Sequence, residues 1–174
     1  TGITLVLAAL AGLGAAAIKE ASDFEQLSTS FEVMLGSADK AKTMLADITK
    51  FANVTPFDTK GLAENAKTLL QFGVTASQVL PTLKALGDVS GGNKERFNSL
   101  TLAFGQMSAS GRLMGQDLNQ MINAGFNPLQ VMSEKTGKSM GKLKDEMSKG
   151  AISAQMVAQA FNDATGVGGQ FEGM

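Results

Sequence analysis

From Asp23 onward the chain reads as a series of short amphipathic segments, each with a polar cap, an apolar stripe at helical spacing and a stop. Ser37 and Asp39 open one whose stripe is Ala38, Ala41, Leu45, Ile48 and Ala52. Pro56, which has no amide hydrogen to donate, forbids its continuation past Asn53 to Thr55. Asp58 opens the next, with Leu62, Ala66, Leu69 and Leu70 on one face and Gly73 placed as a left-handed stop. The short link between these two helices predicts an antiparallel pair. Thr75-Ala-Ser-Gln78 has the spacing of a capping box, in which Thr75 accepts from the Gln78 amide and the glutamine reaches back. Pro81 falls too deep for a first turn and predicts either a kink or a helix that starts near Val79. Val79, Leu83 and Leu86 supply the stripe, and Gly87 or the Gly91-Gly92 pair ends it.

The following segment places Phe97, Leu100, Phe104 and Met107 at helical spacing and runs into "SASG". Asn127-Pro128 is an N-cap followed by proline at the first helical position, with Leu129 and Met132 facing inward and Gly137 closing the helix. Ser139 and Ser153 cap two more, with stripes Met140, Leu143, Met147 and Met156, Val157, Ala160, Phe161. No stretch keeps a two-residue alternation long enough to propose a sheet. The expected fold class is all-α: a compact multi-helical domain at residues 23–174, preceded by an apolar Ala/Gly-rich helix or linker at residues 1–22.

That leader contains "GITLVLAALAGLGAAAI", Gly2 to Ile18, a charge-free run ended by Lys19 and Glu20. As a helix it would reach roughly 25 Å, short of the roughly 30 Å hydrocarbon core of a bilayer. One reading is a buried or self-associating helix, because Gly12, Gly14 and Ala15 to Ala17 let neighbouring backbones approach. The other is a membrane-inserting segment, so host membrane contact through residues 2–18 stays open. Alanine and glycine contribute little to transfer into lipid, which favours the first. The chain begins with Thr1, not Met, and so reads as a piece of a longer protein.

Composition narrows the chemistry. Fifteen basic and sixteen acidic residues give a net charge of -1, no field for DNA, RNA or an anionic membrane, and so no expectation of a sequence-specific nucleic-acid partner. With no His and no Cys the chain cannot build a Ser-His-Asp triad, a thiol nucleophile, a His or thiolate zinc site or a disulfide. Thr136-Gly137-Lys138-Ser139 ends like a phosphate-binding loop, but the required earlier glycine is Met132 and no hydrophobic strand precedes it. A C-cap glycine followed by a serine N-cap explains it. Asp117, Asp145, Glu146 and Asp163 read as solvated helix faces and caps, and the ten methionines as adaptable core fillers on helix stripes. No catalytic residue, metal site or cofactor is expected.

The densest pattern is "ASGRLMGQDLNQMINAGF", residues 109 to 126. Gly111 and Gly115 bracket Arg112, Leu113 and Met114, which predicts a sharp corner leading into a short helix with Met114, Leu118, Met121 and Ile122 as its stripe and Gly125 as its end. Arg112 is free to clamp a neighbouring carboxylate or carbonyl cluster.

The ordered series "FEQLSTSFEVMLGSADKAKTMLADITKFANVTPFD", "LLQFGV", "LPTLKALGDVSGG", "LAFGQMSASGRLMGQDLNQMINAGFNPL" and "GGQFEGM" resembles the N-terminal domain of phage tail tape measure proteins, collinearly from about Phe24 to Met174. Gly61, where a stronger helix former is expected, is a local departure. The resemblance implies a structural virion protein, present in a few copies and therefore expected to self-associate, whose long helical rod sets tail length inside the tail tube. It implies as partners the tail tube protein, tail assembly chaperones and tail tip proteins, release at DNA ejection, and no catalytic or cofactor residue. Its most recognisable positions here are the Gly111-Arg112-Leu113-Met114-Gly115 corner and the Gly125-Phe126-Asn127-Pro128 turn, assigned to fold and contact. A membrane-active segment aiding genome delivery and a free-standing helical adaptor are the rival readings.

Overall fold

The computed structural model describes residues 15–169, with side chains from residue 22 onward. Most of the apolar leader and the closing "GGQFEGM" motif therefore lie largely outside the described residues. Among the described residues there are nine helices and no named strand: α1 Ala15–Leu35, α2 Ala38–Ala52, α3 Thr59–Gln71, α4 Ala76–Ser90, α5 Lys94–Ser110, α6 Gly115–Asn123, α7 Pro128–Thr136, α8 Met140–Ser148 and α9 Ala154–Thr165. The expected all-α class holds. None of these helices is long and apolar enough to cross a membrane. The chain divides into two compact units between Lys67 and Thr68, inside α3.

In the first unit α1 packs against α2. Gly36, at φ 69°, closes α1, and Ser37 caps α2 by accepting from the Lys40 amide at 3.3 Å. Ala41, Met44, Leu45 and Ile48 turn inward at the spacing of one helical face. The predicted pairing of α2 with α3 is not the principal one: α2 takes α1, whose Leu27 and Phe31 are buried, as its partner. The reason is that α1 supplies apolar area that local reading from Ser37 onward leaves out; burying a Phe or Ile side chain contributes about 1.5–3 kcal/mol. Ala38, assigned to the stripe, is exposed. An ion pair of Lys60 with Asp23 at 3.2 Å joins α3 to α1. Gly61 has a local use: its amide donates to Asp58 Oδ2 at 3.4 Å, and a Cβ there would stand 3.0 Å from Asp58 Oδ1.

In the second unit α5 is central, packing against α4, α6 and α9, while α9 also meets α4 and α7 and α7 meets α8. Phe97, Leu100, Ala103, Phe104 and Met107 of α5 are buried, as their spacing predicts. Two predicted details are corrected. Thr75 is the N-cap of α4 but forms no capping box: its hydroxyl lies 3.4 Å from the Ser77 hydroxyl, and the Gln78 amide donates to the Thr75 carbonyl at 2.9 Å instead. Of the two readings of Pro81, a start near Val79 is not what is found: the helix starts at Ala76 and carries Pro81 within it, and Gly91, at φ 60°, ends it while Gly87 lies inside it. Burial of Val79, Leu83, Leu86 and Val89 along α4 outweighs the single backbone bond that proline removes.

Candidate functional site

The Gly111 to Gly115 corner is stitched to the entry of α9. Gly111, at φ 79°, ends α5, its amide donating to the Met107 carbonyl at 2.9 Å. Arg112 then forms an isolated antiparallel bridge with Ser153. The Leu113 amide donates to the Ile152 carbonyl at 2.8 Å and the Ala154 amide to the Gly111 carbonyl at 3.0 Å. Leu113 and Ile152 are both fully buried. The sequence reading passed over Ile152, although it stands just before the capping Ser153 with Val157 at the fourth helical position, the spacing of a hydrophobic staple.

Arg112 clamps no carboxylate among the described residues. Its guanidinium lies across Gly150, the left-handed residue that follows α8: a Cβ there would meet Arg112 Nη1 at 2.7 Å. A cation at this end complements the helix dipole. Gly115 does not turn the chain; it is the first residue of α6, without a positive φ. Leu118 and Met121 are buried as predicted, whereas Met114 and Ile122 are 42% and 41% exposed. They share the helical period of the stripe, but no element among the described residues covers them. Met156, at 40% exposure, departs from its predicted stripe in the same way.

The Gly125 to Pro128 turn is built as foreseen. Gly125, at φ 98°, lets the Phe126 amide reach the Met121 carbonyl at 2.9 Å while its own amide reaches Ile122, the paired bonds of a Schellman motif. The Asn127 side chain accepts from the Leu129 and Gln130 amides at 3.1 and 3.4 Å, and Pro128 opens α7. Phe126 is buried against Phe161 of α9, ring centroids 4.1 Å apart. Asn127→Ala removes the side-chain acceptor of the Leu129 amide, while the Gln130 amide keeps the carbonyl of residue 127 at 3.2 Å, and is expected to lower stability by about 1 kcal/mol, read from urea denaturation.

The two predicted turns do not converge on one site. They stand at opposite ends of the nine-residue α6, roughly 14 Å apart. Each borders a shallow cleft: about 250 Å³ between Arg112, Met114 and Met147, and about 300 Å³ between Ile122, Gly125, Asn127 and Gln130. A third, of about 440 Å³, lies between Arg96 and Leu102 of α5 and Gln120 and Asn123 of α6. The Thr136 to Ser139 stretch is the expected cap pair: Gly137 at φ 76° ends α7, Ser139 accepts from the Lys142 amide at 3.1 Å, and Lys138 pairs with Glu146 at 2.9 Å. Asp145 pairs with Lys149 and Asp163 accepts from Gln159. Among the described residues no cluster of carboxylates could hold a metal.

A family model described as tape measure protein matches residues 15–174, all nine described helices included. This chain belongs to the tape measure protein family. It is 24% identical over 152 residues to a probable tape measure protein of Escherichia phage Mu, covering 86% of this chain and 21% of that protein. With a probable tape measure protein of Lactococcus phage p2 the identity is 30% over 115 residues, covering 63% of this chain and 11% of the relative. With the tape measure protein of Lactococcus phage F4-1 it is 25% over 124 residues, 66% and 34%. The chain thus spans about a third or less of the length of these relatives. No solved structure matches it.

One carboxylate of this tape measure segment departs from its expected setting. Asp117, read as part of a polar face, is only 6% exposed, and its Oδ2 accepts from the Met114 amide at 3.2 Å. Burial raises its pKa above the ordinary carboxylate range, partly opposed by that amide bond. A raised folded-state pKa means that the folded chain holds the proton more tightly than the unfolded one, so this group favours folding increasingly as pH falls through its folded pKa and loses that contribution above it. Asp117→Asn is expected to flatten the pH dependence of stability in the mildly acidic range. Thermal denaturation at a series of pH values checks this; a variant that keeps the wild-type profile would show that Asp117 does not set it.

Proposed function

We propose that this segment is a non-enzymatic assembly module of a phage tail tape measure. Together with the rest of its parent chain it sets tail length during assembly in the host cytoplasm, occupies the tail tube lumen of the virion and leaves at DNA ejection. Tail tube protein, assembly chaperones and tail tip proteins are its partners, and several copies share one tail. Residues 23–174 act as the helical domain and residues 1–22 as an apolar helix or linker. The family match running from residue 15 to residue 174 carries this reading. The Gly111–Gly115 corner and the Gly125–Pro128 turn serve it as positions of fold and contact, since both are tied into buried backbone or aromatic contacts with α9 or its entry.

Mass spectrometry of purified tail particles tests the proposal. The expected result is peptides of this chain within a long, helix-rich, particle-associated polypeptide. A short soluble product never found in particles would overturn it in favour of a free-standing helical adaptor.

A further inference from the structure

The second unit runs from Thr68 to Met174, and α9 delivers the chain to one end of it. α9 lies antiparallel to α5: the Ala154 amide donates to the Gly111 carbonyl at 3.0 Å, and seven residues further along each helix Phe161 meets Phe104. At equal rise Thr165, the end of α9, comes level with Leu100, about one turn from Arg96 near the start of α5. The chain then turns on glycines. Gly168 has φ 79°, the Gly169 amide donates to the Gly166 carbonyl at 3.0 Å, and a Cβ on Gly169 would run into the Asp163 and Ala164 carbonyls. A turn this close to the helix end admits no side chain, and it carries the chain off the axis of α9.

Arg96 borders the cleft of about 440 Å³ between α5 and α6, which Asn93, Ser99, Leu102, Gln120 and Asn123 also line. Two of its groups have no partner among the described residues. The Arg96 guanidinium stands beside Gly125 and makes no ion pair or hydrogen bond there. Gln120 Oε1 is buried and accepts no hydrogen bond, a state that calls for a donor. Leu102, 43% exposed, adds an apolar wall. A cation, a buried acceptor and an apolar wall suit an extended peptide that carries one acidic and one apolar side chain on the same side.

We infer that this cleft is the docking site of residues 170–174, Gln-Phe-Glu-Gly-Met, which follow the glycine turn directly. Glu172 is the sole charged residue after Asp163, and it pairs with Arg96. In an extended segment Glu172 and Met174 point the same way, roughly 7 Å apart. Arg96 and Leu102 are roughly 9 Å apart along α5, so Met174 reaches Leu102 while a main-chain N–H of the segment donates to Gln120 Oε1. Five residues span up to roughly 17 Å, more than the roughly 10–12 Å width of a helix, so the segment is long enough to cross from α9. Glu95, the acid on the cleft, lies about 100° round α5 from Arg96 and does not oppose the pairing. The docked segment clasps the end of α9 to the α5–α6 edge. The inference does not depend on the proposed role in tail assembly.

Charge exchange in the 174-residue chain tests it. Glu172→Arg is expected to shift the NMR amide signals of Arg96, Gln120 and Asn123, the glutamine side-chain amide included. Those of Met147 and Ser148, beside the opposite end of α6, are expected to stay in place. Glu172→Gln, which keeps the shape and removes the charge, should give smaller shifts at the same residues. Arg96→Glu and Glu172→Arg are each expected to speed proteolytic cleavage after Phe171 about two- to fivefold, the range for losing an exposed ion pair. The two substitutions together should bring the rate back toward wild type. Spectra in which Glu172→Arg moves no signal of the cleft, or a doubly exchanged chain cleaved as fast as its single variants, would overturn the inference.

Discussion

Phe161→Ala lowers the unfolding free energy by about 3–5 kcal/mol, the range for truncating an enclosed aromatic side chain and leaving a cavity. Phe161 is 2% exposed and lies where α9 meets two other elements. Its ring stands edge-on to Phe104 of α5, centroids 5.7 Å apart and planes at 78°, and tilted on Phe126 of the Gly125 turn at 4.1 Å and 34°. Each aromatic pair contributes about 0.5–1.5 kcal/mol beyond the area it buries. Domains of this kind have about 5–15 kcal/mol in total, so the loss removes a large part of it. Phe161→Leu keeps most of the volume and is expected to cost less than half as much. Hydrogen exchange of peptides from α5, α7 and α9 across a urea series is the measurement. Protection should fall in all three together; loss confined to α9 would mean that Phe161 does not link them.

The position of this cluster shows what kind of information the sequence carries openly. Ser37, Asn127, Ser139 and Ser153 could be read as caps because capping is settled within four residues, and each accepts from the amide two or three positions on. Gly73, Gly125 and Gly137 were legible as stops for the same reason, since a left-handed residue is a local requirement, and Gly91 was legible as one of two alternatives with Gly87. Phe161 and Phe104 were each legible as inward-facing from helical period. That they meet was not, because period gives a face and not its partner. The same limit accounts for the pairing of α2 with α1 and for the bridge between Arg112 and Ser153, in which the bonded segments are far apart in sequence.

The errors have physical causes of their own. Thr75 has the spacing of a capping box, yet its hydroxyl stands 3.4 Å from that of Ser77 and makes no cap bond, and Gln78 is exposed. Gly115 looked like a turn residue because it follows Gly111 so closely, but the corner is already made by Gly111 and by the two backbone bonds to Ile152 and Ala154. Met114 and Ile122 were assigned to the core because they match the helical period of Leu118 and Met121. Period cannot tell a covered face from an exposed one. The candidate turns were thus readable as structure, while the burial of Asp117 between them was not.

Gly105 in the middle of α5 sets two effects of known size against each other. Gly105→Ala on an ordinary helix would stabilise by about 1 kcal/mol, since glycine carries the larger entropy loss on folding. Here a Cβ would come 2.5 Å from Phe72 Cδ2, 3.1 Å from its Cγ and 3.3 Å from its Cβ. The ring and its root are both too near for a rotation of the ring alone to relieve the clash, so the Phe72 side chain or α5 has to shift. Overpacking of this kind costs about 1–3 kcal/mol and exceeds the helix gain when the displaced group is held on several sides. Phe72 is half-buried, and Gly105 is enclosed between Phe104 and Met107 on the buried side of α5. The expected result is a net loss of about 1–2 kcal/mol for Gly105→Ala, larger for Gly105→Val. A double-mutant cycle isolates the cause: with Phe72→Ala as background the clash partner is gone, and Gly105→Ala should become neutral or stabilising. If the alanine costs as much without the Phe72 ring as with it, the close approach of α5 to Phe72 is not what keeps this position a glycine.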